Sequence, residues 1–203
     1  MVSLLPYHIT GCPDFVVEKA IKDATLSFCR RSDAYRVTLE PIVTITGFFE
    51  YEIDLPKNTN LVDIHSATLG KKEITPETEQ GANHENPSWR TEMGTPKSYI
   101  RPSNKKIYLV PVPETSNDNI TLYASLKPSL TATSIDTEFV ENYVDGTMAG
   151  ALANLFNAQD MPWANPQRAM KHEAEFQAHI QDASNKADGR NGPTRKRIRY
   201  GGL

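Results

Sequence analysis

The sequence holds only two cysteines in 203 residues, too few for a disulfide framework. Cys12 and Cys29 match no metal or redox spacing, so reduced thiols in a cytosolic product are expected. No stretch approaches the ~20 apolar residues of a membrane span. The N-terminus lacks a basic region followed by an apolar run, so no secretion signal is expected. That also discounts the glycosylation triplet Asn119-Ile120-Thr121. There is no phosphate loop, no G-x-G-x-x-G segment and no nucleophile elbow. Apolar residues are sparse: with Gly counted and Tyr left out they make up about 40%, below the usual ~45–50%. A chain of this length can still bury a core in one or two domains, but much of it must face water or other subunits.

Reaction centres are equally thin. The best metal-like cluster is His172, Glu173, Glu175 and His179, a loose match that lacks the H-E-x-x-H pattern and reads as solvated helix positions. His84 and Glu85 lie in a polar stretch and read as solvated. Asp14, Asp136 and Asp160 sit near helix boundaries, where an acid is more simply a cap or turn residue than a catalytic group. Neither a catalytic residue nor a metal or cofactor is expected.

What is present is a charge asymmetry. The formal net charge is −3. Residues 186–203 carry Lys186, Arg190, Arg195, Lys196, Arg197 and Arg199 against Asp188, a net +5, and the remainder sums to −8. Three readings of the basic segment stay open. Its cations could hold phosphates while Tyr200 stacks on a base. It could be an arm that orders in a groove on a partner protein, or a solvated tail. The acidic body disfavours general DNA binding, because it repels the phosphates that the tail attracts.

The hydrophobic pattern reads helix, long β region, two helices, tail. Val17, Ala20, Ile21, Ala24 and Phe28 recur at helical spacing and predict a helix over 14–31, with Asp14 as its cap. From residue 37 the period becomes two. Val43, Ile45, Phe49, Tyr51, Ile53 and Leu55 share one parity around Thr46-Gly47, which predicts strand, hairpin turn or bulge, strand. Residues 61–69 predict a strand, turned by Gly70-Lys71 into Glu73-Ile74. Residues 76–96 are polar and rich in Gly and Pro, and read as a long exposed loop. Trp89, its one large aromatic, reads either as an interface anchor or as local packing. Strands near 97–101, 105–111 and 120–126 follow. Residues 135–158 and 165–186 predict helices. Asn165-Pro166 caps the second of these. Gly146 and Gly150, one turn apart, suggest close packing or a kink. Residues 188–203 read as extended, with a reach of about 50 Å at ~3.3 Å per residue.

These segments predict an α+β protein. Residues 1–36 and 131–187 would form a discontinuous helical bundle. Residues 37–130 would be an inserted antiparallel β domain with a long loop at 76–96, and residues 188–203 an extended basic C-terminal arm.

The chain resembles the head-to-tail adaptor (connector) proteins of tailed, especially short-tailed, bacteriophages. The resemblance spans about residues 4–182 and rests on motifs in order. They are Leu5-Pro6-Tyr7-His8, Phe28-Cys29-Arg30-Arg31-Ser32, Tyr51-Glu52-Ile53-Asp54-Leu55-Pro56 and Gly94-Thr95-Pro96. Ile107-Tyr108-Leu109-Val110-Pro111-Val112-Pro113, Leu126-Lys127-Pro128 and Gly146-x-x-x-Gly150-Ala151-Leu152 follow. Met161-Pro162-Trp163-Ala164-Asn165-Pro166 closes the series, leading into a helix with Ala169 and Phe176. The resemblance implies a structural virion protein at the head–tail junction, assembled in the host cytoplasm, and not an enzyme. It implies a homo-oligomeric ring, typically of twelve copies, that joins the portal protein to a tail or nozzle protein and extends the DNA channel, with no membrane partner. It further implies that the C-terminal segment docks on the portal, through Arg190, Arg195, Lys196, Arg197, Ile198, Arg199 and Tyr200. The β domain and the Trp89 loop would face the next tail component. A nucleic-acid-binding accessory protein acting through the basic arm is the alternative.

Overall fold

The computed structural model describes residues 9, 11–132 and 137–191, and these divide into two compact units. One holds the chain up to Ala34 and from Thr137 onward; the other starts at Tyr35. The fold is mixed α+β, with four helices and a mixed sheet among the described residues.

The helical unit contains α1 (Asp14–Ser32), α3 (Thr137–Phe156) and α4 (Pro166–Asn191). α1 starts at Asp14 itself, after an extended Pro13, and no side chain caps it. The expected Asp14 cap is therefore absent: Asp14 is already the first helical residue, where its charge suits the positive end of the helix dipole. α3 packs against both other helices and buries residues on every side, from Phe139 through Ala149 and Ala151 to Phe156, the pattern of a central helix.

Gly146 and Gly150 explain how α3 gets so close to its neighbours. A Cβ at Gly146 would lie 2.6 Å from Phe28 Cε2 of α1 and 3.0 Å from His179 Cβ of α4. One at Gly150 would lie 2.7 Å from Phe176 Cε2. The expected kink is also there, three residues earlier, at Tyr143 (φ −132, ψ 19). Phe28 sits within 6.2 Å of Phe139 and Phe176 and 5.3 Å of Tyr143, ring centre to ring centre.

Asn165 caps α4 as expected, its Oδ1 accepting from Arg168 N–H at 3.0 Å. α4 then runs five residues past Lys186, so residues 188–191 are helical rather than extended. Ala187 is buried one turn beyond Ala183, and continued packing offsets the cost of Gly189, about 1 kcal/mol relative to Ala.

In the β unit, β4 (Thr59–Leu69) and β10 (Asn119–Pro128) form the long central ladder. β1 (Arg36–Thr38) and β2 (Ile42–Val43) pair with β10 on its other side. Beyond β4 lie β5 (Lys72–Glu77), β7 (Ser98–Ser103), β8 (Lys106–Val110) and β3 (Glu50–Glu52), in that order. Gly70-Lys71 makes the expected two-residue turn between β4 and β5. Leu61, Ile107, Leu109, Ile120, Leu122 and Leu126 lie at 1% exposure or less and form the centre of this core.

Three expectations change here. The 43–55 stretch is not a hairpin, because β2 joins β10 while β3 joins β8. The sheet is not purely antiparallel, because β5 runs parallel to β7. Nor is 76–96 a structureless exposed loop. It carries α2 (Glu79–Glu85), capped by Thr78 Oγ1 accepting from Gly81 N–H at 3.0 Å. It also carries β6 (Met93–Gly94), parallel to β9 (Val112–Pro113). For the last two the physical reason is shared: parallel neighbours need a crossover of a dozen or more residues, usually with a helix, and residues 78–97 are that crossover.

Candidate docking surfaces

Trp89 is 1% exposed. Its ring lies 5.6 Å from Phe49 and 6.3 Å from Tyr108, and its Nε1–H donates to Asn83 Oδ1 at 2.9 Å. Arg90 stacks over it at 4.3 Å and pairs with Glu79. Trp89 thus offers no free face for a partner, and of its two sequence readings local packing is the one seen. It fastens the crossover onto the sheet. Arg190 falls in the last turn of α4, while Arg195, Lys196, Arg197, Ile198, Arg199 and Tyr200 lie outside the described residues.

Among the described residues the histidines are not brought together into a site. His172 stacks on Phe156 at 5.7 Å with its Nδ1 2.8 Å from Glu175 Oε2, so it is half-buried packing rather than a solvated position. No group of three or more His, Cys, Asp and Glu able to hold a metal exists among the described residues. Burial pushes the Cys29 thiol up to about 12.

The feature that sequence reasoning missed is an apolar tip on the β unit. Val43, Ile45, Phe48 and Met93 are 50%, 52%, 60% and 51% exposed. Their backbone is nonetheless tied down. Thr44 N–H donates to Asp118 O at 2.8 Å, and Ile45 N–H to Tyr51 Oη at 3.0 Å. Thr46 N–H donates to Ser116 Oγ at 2.9 Å, Gly47 N–H to Pro113 O at 3.0 Å, and Phe48 N–H to Ile45 O at 3.1 Å. The buried Tyr51 hydroxyl in turn donates to Phe48 O at 2.9 Å, and burial raises its pKa. Gly47 takes φ 79, with open space where a Cβ would stand. Parity reasoning turned Val43 and Ile45 inward with Tyr51. The Thr46-Gly47 turn breaks that parity, and it was the one available sign that the two sides need not agree.

At the other end of β10 an open groove of about 1020 Å³ is lined by Ile53, Leu55, Lys57, Lys105, Lys106 and Leu130, among others. Leu130 is 78% exposed. Lys106 pairs with Glu50 across β3 and β8, which lowers the Glu50 pKa and raises that of Lys106, chiefly through the hydrogen bond between them.

A turn that keeps large apolar side chains in water while all its backbone N–H groups are hydrogen-bonded is built for contact with other macromolecules. The family model of the SU10 adaptor protein matches residues 10–198, and the chain belongs to this family of phage adaptor proteins. It is a structural protein of that class. A comparison with curated proteins finds no match.

Proposed function

We propose that the protein forms an oligomeric ring at the head–tail junction of the virion, joining the portal protein to the next tail component and extending the DNA channel. The family membership over residues 10–198 carries this reading. A ring of one chain requires heterologous faces on each subunit. Twelve copies is the number the adaptor resemblance implies. In this reading the helices from both ends of the chain form one unit, and the β unit meets the next tail component.

The basic C-terminal segment, from the last turns of α4 onward, docks on the portal. The observation favouring this is the net +5 of residues 186–203 on a body of −8. Arg190 would sit at the root of that arm, with Arg195, Lys196, Arg197, Ile198, Arg199 and Tyr200 along it. An acidic body beside packaged DNA would let the duplex slide without sticking.

The test is to mix purified protein with its portal and image the product. A ring of regular copy number against the portal is expected, lost when residues 192–203 are removed. Absence of portal binding in every condition overturns the reading. Tight DNA binding with a steep salt dependence that the same deletion abolishes would instead favour the nucleic-acid alternative.

A further inference from the structure

We draw no further inference here: the strongest candidate, the exposed apolar patch of Val43, Ile45, Phe48 and Met93 at the tip of the β unit, carries none, because nothing in the structure shows what covers it.

Discussion

Gly150→Ala is expected to destabilise the helical unit, although alanine is the better helix former. In an exposed helix the change would gain about 1 kcal/mol. Here the added methyl would lie 2.7, 2.8 and 3.0 Å from three atoms of the Phe176 ring. The ring has little room to yield: it is 4% exposed, with Phe28 6.2 Å away on centroids and the Arg31 guanidinium over its face at 5.7 Å. Overpacking of this kind costs ~1–3 kcal/mol. With several ring atoms hit at once the upper part of that range applies, leaving a net loss of about 1–2 kcal/mol.

The decisive comparison is the same substitution made in a Phe176→Ala background. There all three clashing ring atoms are gone, and Gly150→Ala should stabilise by up to about 1 kcal/mol, a coupling within the ~0.5–3 kcal/mol seen for residues in contact. Because the chain has two compact units, a single melting curve need not report the helical one. Cys29 does: it is fully buried on α1, and its thiol is held protonated well above neutral pH. In a Cys12→Ser chain, the rate of Cys29 labelling in increasing denaturant measures opening of that unit alone. If Gly150→Ala stabilises the parent chain, or has the same effect in both backgrounds, the close-packing account of this glycine is wrong.

Trp89→Ala should cost ~3–5 kcal/mol, as removal of a core tryptophan does, and should open residues 79–94 to proteolysis; an unchanged digestion pattern would count against its role in fastening the crossover. Asn165→Ala should lower stability by about 1 kcal/mol through loss of the α4 cap, with Asn165→Asp retaining most of it; equal unfolding midpoints for the two variants would refute the cap. Tyr51→Phe leaves Ile45 N–H without its acceptor and should cost ~1–3 kcal/mol, read as a lower denaturation midpoint; an unchanged midpoint would count against the hydroxyl's role in tying the turn. Cys29 ionises at 9.0 when unfolded and at about 12 in the fold. Its contribution is therefore full below pH 9.0 and is lost progressively as pH rises from there toward 12. Denaturation midpoints should fall across that window, and the fall should be smaller in Cys29→Ala.

Much of the helical unit was legible in the sequence. α1 and the start of α4 lie within a residue of the periodicity reading, because both helices bury a stripe at local, helical spacing. The Asn165 cap and the Gly70-Lys71 turn are short-range devices, set by residues within a few positions of one another. Gly146 and Gly150 were readable as a sign of close packing, though not as to which rings they admit. The candidate site was far less legible. Its strongest sequence feature, the run from Arg195 to Tyr200, lies outside the described residues. Trp89 was recognised as a distinctive side chain, but its composition-poor surroundings hid the aromatic partners Phe49 and Tyr108, which come from distant parts of the chain.

The sequence by itself determined the order of helical and extended segments, their main boundaries, and the acidic body with its basic end. Those follow from period, caps and composition, which are properties of neighbours along the chain; the phage adaptor family was legible separately, as a resemblance carried by motifs in order. Only the tertiary structure decided that β2 and β3 part company to opposite sides of the sheet, that the 78–97 crossover sets β7 parallel to β5, and that Trp89 faces in while Ile45 and Phe48 face out. Alternation along a strand says that two sides differ; which side meets the core depends on the strand it pairs with, and that partner lies far away in sequence.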